Sequence, residues 1–141
     1  MHIIFLNPQG NFDQADSYLA EHPDFGGQLV YVKEVAQAMV NLGHRVDIVT
    51  RLIQDKSWPE FSAELDTYSG YEGSLRILRF SCGGSKFLEK EQLWPHMPEF
   101  VDNMLKFYAD KLPDFATGHY ADGGYCAVLA RQRAGLKFTF T

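Results

Sequence analysis

His2–Leu6 (HIIFL), Gly27–Leu42 (GQLVYVKEVAQAMVNL) and Arg45–Thr50 (RVDIVT), read together, decide the fold. The first and third are short runs rich in β-branched and apolar residues, the pattern of buried strands. The middle run places Leu29, Val32, Val35, Ala36 and Met39 at helical spacing, and Gly43 follows as a C-terminal stop. Strand, helix, strand is the unit from which parallel sheets are wound. Between the first strand and the helix lies a long polar loop ending in His22-Pro23-Asp24-Phe25-Gly26-Gly27-Gln28. Glycines at a helix start let the backbone approach a ligand, and the helix's unpaired N–H groups favour anionic or oxygen-rich partners. The pattern points to a site for something small, polar and phosphorylated.

The alternation continues downstream. Leu75–Phe80 (LRILRF) reads as a third strand, followed by a turn at Ser81-Cys82-Gly83-Gly84-Ser85. Glu89 to Lys111 is predicted helical in two pieces, broken by Pro95 and Pro98, the second placing Phe100, Met104, Phe107 and Tyr108 on one face. Asp114–Gly118 is a weak fourth strand, Asp122 to Ala134 a helix carrying Val128 and Leu129, and Lys137–Thr141 a fifth strand. Arg51 to Ser74 reads as an excursion outside the core. The expected class is α/β, a Rossmann-like parallel sheet with helices on both faces. An alternating strand with nothing after it is an unusual finish for such a sheet. The expectation is a piece cut from a larger domain and only marginally stable, the alternative being a protected terminal strand.

With 141 residues the chain has room for one core but not two ordinary domains. A net charge of -5, with no basic stripe, disfavours a general nucleic-acid binder, so phosphate recognition must be local. No membrane-length apolar run or signal pattern is present, which makes the cytoplasm the default expectation and a membrane partner unexpected. Cys82 and Cys126 lack CxxC spacing and read as reduced, structural thiols. Asp13 and Asp16 match no calcium loop and are read as ordering their loop, so no metal and no cofactor is expected.

A dinucleotide site fits poorly. Its GxGxxG turn should follow the first strand directly, yet only Gly10 lies between Leu6 and Gly26. Thr50-Arg51 stands where an acidic residue belongs; an arginine there suits a 2′-phosphate, but without the glycine turn. A GxxxxGK[ST] phosphate loop is also missing.

NPQGNFDQADSY, HPDFGGQLVYVKEVA, GHRVDIVTR, WPEFS, CGGSKFLEKEQLWP, HYADGGYCAVLA and LKFTFT, in that order, resemble the N-terminal part of bacterial sucrose-phosphate synthases. These are retaining glycosyltransferases of family 4 with two facing Rossmann-like domains, the arrangement known as GT-B. HPDFGGQLVYVKEVA is also similar to sucrose synthase and mannosylfructose-phosphate synthase, which stay open as alternatives, as does a non-catalytic sugar-phosphate-binding module. The resemblance implies that residues 1–141 are a partial acceptor-binding domain. It implies fructose 6-phosphate as acceptor and UDP-glucose or ADP-glucose as donor, the latter held by a C-terminal domain that this sequence does not contain. The family's reaction-centre histidine would follow Thr141, so the chain alone is expected to be inactive.

Carried onto this sequence, Gly26 and Gly27 bring backbone N–H groups to the substrate, and Gln28 offers an amide donor and acceptor for a ketose. Lys90 becomes the acceptor-phosphate lysine, a flexible point charge; Lys86 is the less secure of the pair. His119, Asp122, Gly123 and Gly124 lie at the end of strand four and shape the site. Asp122 is read equally as a helix cap and as a group that orients substrate or the missing histidine. Tyr18 is a candidate sugar contact, and His22-Pro23-Asp24 shapes the glycine turn. Trp58 and Trp94 are read as packing or as sugar platforms, and His2, His44 and His96 as surface or packing residues. Gly118 stands where the family often carries threonine or alanine, and is expected to loosen the strand end.

Overall fold

Alternate side chains of the first strand divide between two cores. In the computed structural model, which describes residues 1–17 and 26–141, β1 spans His2–Leu6. Ile3 and Phe5 join one apolar cluster, Ile4 and Leu6 the other. This period of two places β1 in the middle of a sheet covered on both faces. The helix α1 (Gly26–Asn41) covers one face with Leu29, Val32 and Ala36. The helices α3 (Met97–Tyr108) and α4 (Tyr120–Ala134) cover the other with Met97, Phe100, Val101, Met104, Cys126, Ala127 and Ala130. Burying each large apolar side chain contributes about 1.5–3 kcal/mol.

The remaining elements are β2 (Arg45–Arg51), β3 (Leu65–Thr67), β4 (Leu75–Phe80), the short helix α2 (Lys90–Leu93), β5 (Phe115–Gly118) and β6 (Phe138–Phe140). The sheet order is β3-β4-β2-β1-β5-β6, with β3 antiparallel to β4 and every other pair parallel. From β1 the chain winds outward to β2 and β4, then crosses back to β5 and β6. The switch point therefore falls between β1 and β5, where Leu6 is in register with Gly118. No helix among the described residues is long and apolar enough to cross a membrane.

Several expectations need correction. The excursion after β2 is part of the core: Ile53, Phe61 and Tyr68 are buried against α1's face of the sheet, and Leu65–Thr67 forms the edge strand. Its polar composition hid three apolar anchors that are not in periodic array. The fourth helix starts at Tyr120, so Asp122 lies in its first turn; the cap position belongs to His119, without a side-chain bond. Phe107 is half exposed, off the buried stripe formed by Phe100, Met104 and Tyr108. Val128 is exposed, and the buried face of α4 is carried by Cys126, Ala127 and Ala130. Gly43 does end α1, with φ of 94°.

Candidate active-site cleft

The carboxyl ends of the parallel strands bring Gly27, Gln28, Lys90, His119 and Asp122 to one edge of the sheet. Beyond β1 come Asn7, Gln9 and Asn11, and Arg51 is the last residue of β2. His119 and Tyr120 follow β5. Three adjoining pockets run along this edge. The innermost is lined by Gln9, Asn11, Arg51 and Lys90. The middle one, about 200 Å³, is lined by Gln9, Lys90, Trp94, Tyr120 and Asp122. The outer one, about 420 Å³, is lined by Gly27, Gln28, Tyr31, His119, Tyr120 and Thr141. Gln9 and Lys90 are common to the first two, and Tyr120 to the second and third. The cleft thus joins Lys90 and Asp122 to Gly27, Gln28 and His119, residues distant in sequence.

Gly27 is exposed, and a Cβ added to it would meet nothing within 4 Å. Neither packing nor a left-handed backbone demands a glycine there, which leaves open space above the first turn of α1. The adjacent amides of that turn have no partners within the helix. Gly26 is its first residue.

Gln28 is more committed than its sequence position suggests. Its Nε2 donates to Asn7 Oδ1 at 2.6 Å, and its Oε1 accepts from Gln9 Nε2 at 3.3 Å. The three amides form a buried chain that ties α1 to the loop after β1. Among the described residues, one N–H and one lone pair of Gln28 stay uncommitted.

Lys90 opens α2 and is exposed, with no carboxylate in ion-pair range among the described residues. Gln92 Oε1 accepts from the Glu89 N–H at 3.1 Å, fixing the helix start from which Lys90 projects. Asp122 is 5 % exposed and faces the same pocket. Burial raises its carboxyl above the usual range; Lys90 opposes the shift and Glu91 adds to it. No hydrogen bond to its carboxylate is found among the described residues.

His119 is buried against Phe5 and Tyr31, at ring-centroid distances of 5.5 and 5.8 Å. Burial lowers its pKa, so the imidazole is neutral at neutral pH. Its Nε2 lies 3.2 Å from Thr117 Oγ1.

Gly123 and Gly124 lie beneath the cleft and line none of these three pockets. A Cβ on Gly123 would lie 2.3 Å from the Leu6 carbonyl oxygen, and one on Gly124 would lie 2.6 Å from the Phe140 ring. They let the first turn of α4 settle onto β1 and β6. Gly118 belongs to the same contact, since its Cβ would come within 2.6 Å of Gly123 O. It tightens the strand end, against the sequence expectation.

Trp58 stacks on Phe87 at 4.9 Å and packs the excursion, whereas Trp94 stacks on Tyr125 and still lines the cleft. Asp13 orders its loop by accepting from Ser17 N and Oγ, and Asp16 pairs with Lys33. His2 bonds Asp47, and His44 meets the N-terminal amine. Tyr18 and His22-Pro23-Asp24 lie outside the described residues.

Sequence reasoning missed Tyr120 and the amides Asn7, Gln9 and Asn11. Tyr120 has φ of 59°, a costly conformation for a bulky residue and of the kind that clusters at functional sites. No sequence pattern announces it. The amide-rich NPQGN run directly after β1 was a usable signal, because that position is the switch point.

Residues 26–141 match the family described as "Glycosyl transferase 4-like domain". Over its whole length the chain is 52% identical to a probable sucrose-phosphate synthase of Thermosipho melanesiensis, of which it covers 33%. It is 40% identical over 114 residues to a mannosylfructose-phosphate synthase of Agrobacterium fabrum, covering 76% of this chain and 23% of that one. A sucrose-phosphate synthase from Thermosynechococcus elongatus shares the fold, with a TM-score of 0.82 at 20% identity over 99% of this chain and 32% of that one. The chain spans about a third of the first relative's length and less of the second's. It belongs to the glycosyl transferase 4-like family and is similar throughout to sucrose-phosphate synthases.

Proposed function

We propose that this chain forms the acceptor side of a retaining hexosyltransferase that moves glucose from UDP-glucose, or ADP-glucose, onto fructose 6-phosphate. One observation carries the reading: Gly27 opens, without structural need, into the outer of three adjoining pockets, and Lys90 lines the other two. That pairing offers backbone amides at one end and, at the other, a cation with no ion-pair partner among the described residues, suited to a small polar molecule with a phosphate at one tip. The 52% identity to a probable sucrose-phosphate synthase supports the choice of acceptor.

In this reading the Lys90 ammonium holds the acceptor phosphate. The amides of Gly26 and Gly27 approach the sugar or the charge developing on the departing diphosphate. Asp122 accepts a hydrogen bond from a sugar hydroxyl, and the side-chain amide of Gln28 fixes the ketose. Neutral His119 and Tyr31 form an apolar wall that excludes water. Catalysis rests on positioning and on electrostatic stabilisation of an oxocarbenium-like state. Donor binding is assigned to the part of the relatives that this chain does not span, so the chain alone binds acceptor without completing transfer. Its working place is the cytoplasm.

Titration by NMR with fructose 6-phosphate, fructose and NAD(P) tests the proposal. Fructose 6-phosphate should shift the amides of residues 26–28, and Lys90→Ala should weaken it roughly 10- to 100-fold, the worth of one charge-assisted contact. Binding of the dinucleotide alone would overturn it.

A further inference from the structure

The residues lining the innermost pocket carry buried polar atoms with no partner among the described residues. Arg51 is 1% exposed; its Nε donates to Cys82 O at 2.8 Å and its Nη2 to Gly84 O at 3.1 Å. Both carbonyls belong to the turn after β4, so the guanidinium is held rigidly. Its Nη1 is buried and has no partner among the described residues. Gln9 lines the same pocket; its Nε2 is spent on Gln28, and its buried Oε1 has no partner among the described residues. A residue with a spare donor and one with a spare acceptor thus line a space with room for about one water molecule. Leaving either group unmade is costly, and a guanidinium N–H especially so.

We propose that this pocket is the seat of one ordered water that couples Arg51 to the anion held by Lys90. The water accepts the Arg51 Nη1–H, donates one O–H to Gln9 Oε1, and turns its second O–H towards an anion oxygen above it. A whole phosphate is too large for the pocket, and a metal cation would meet two positive side chains. Arg51 is therefore a positioning residue, a fixed charge behind the mobile charge of Lys90, and it favours a phosphorylated ligand over its unphosphorylated counterpart. Through Gln9 the water also joins the chain Gln9–Gln28–Asn7, so the phosphate end of the cleft is linked to the first turn of α1. The coupling rests on the reading that Lys90 holds a phosphate.

The test combines a crystal structure of this chain, at a resolution that shows waters, with NMR titrations of fructose 6-phosphate and fructose. Density for a water within hydrogen-bond distance of Arg51 Nη1 and Gln9 Oε1 is expected. Arg51→Gln, folded by circular dichroism, should lose roughly tenfold in affinity for fructose 6-phosphate and keep its affinity for fructose within about twofold. If that variant does not fold, the wild-type structure with fructose 6-phosphate bound decides, by whether the water touches a phosphate oxygen. An empty pocket in a chain that binds fructose 6-phosphate, or equal losses for both ligands, overturns this inference alone. A chain that binds no fructose 6-phosphate overturns the acceptor reading and the coupling together.

Discussion

Arg76 grips Asp47 with two parallel hydrogen bonds, Nε to Oδ1 at 2.7 Å and Nη2 to Oδ2 at 2.8 Å. The pair lies away from the cleft, towards the amino-terminal ends of β1, β2 and β4. His2 Nε2 and the Tyr108 hydroxyl also reach Asp47 Oδ2, each at 2.7 Å, so three strands and α3 converge on one fully buried carboxylate. Burial alone would raise its pKa. The bonds from His2, Arg76 and Tyr108 outweigh that and hold it at about 2, against 3.8 when unfolded. A depressed carboxyl contributes stability that is complete above the unfolded value and is lost as pH falls through the folded one. Urea unfolding followed from pH 5 to pH 2 should show a loss of about 2 kcal/mol from this site, and Asp47→Asn should flatten that slope.

Removing the carboxylate altogether has a larger effect, because Arg76 and Tyr108 lose a shared partner. Asp47→Ala should cost about 3–5 kcal/mol at neutral pH, read from the urea midpoint. A loss below about 1 kcal/mol would mean that water replaces the carboxylate at little cost.

Glycines in the two helix starts make opposite predictions. At Gly27 an added methyl meets open space, and alanine is the better helix former. Gly27→Ala should therefore leave stability unchanged or raise it by up to about 1 kcal/mol, yet weaken acceptor binding by filling the approach to the amides. At Gly123 the added methyl meets the Leu6 carbonyl oxygen at 2.3 Å, and backbone must move. Gly123→Ala should cost about 1–3 kcal/mol, measured by thermal unfolding.

Those two glycines also mark what the sequence can and cannot reveal. Strand, helix and strand over residues 2–50 were legible because the apolar spacing at Leu29, Val32 and Ala36 has only one helical solution. Phe61 and Tyr68 were not, since an isolated anchor in a polar segment has no period to betray it. In the cleft, Gly26, Gly27 and Lys90 stood out by position and resemblance. Arg51 drew notice only as a misplaced dinucleotide residue, because its two carbonyl partners come from a turn more than thirty residues away. The left-handed Tyr120 is a tertiary outcome of seating α4 on β1, where Gly118 and Gly123 close together.

His119 titrates in the same direction as Asp47 but in a milder window. Burial among aromatic rings lowers its pKa from 6.5, so the unfolded chain takes up its proton first as pH falls. The stability of the neutral form is complete above pH 6.5 and declines below it. An NMR titration of the His119 side chain should give a value below 6.5, and a value above 6.5 would contradict its burial.

Asp122 separates stability from function most sharply. Burial raises its carboxyl pKa, with Lys90 pulling the other way, so keeping it charged at neutral pH works against folding. For a raised carboxyl, stability is lost as pH climbs from the unfolded value through the folded one. Asp122→Asn cannot ionise and should raise the melting temperature at pH 7, with no such gain at pH 3, where the wild-type side chain is protonated in both states. A group that costs stability and still lines the cleft is the signature of a binding residue. The same variant should therefore bind fructose 6-phosphate more weakly, by roughly tenfold if a charged acceptor is replaced by a neutral one. If binding instead tightens, Asp122 merely opposes the positive charge of Lys90 and its role as a hydroxyl acceptor is wrong.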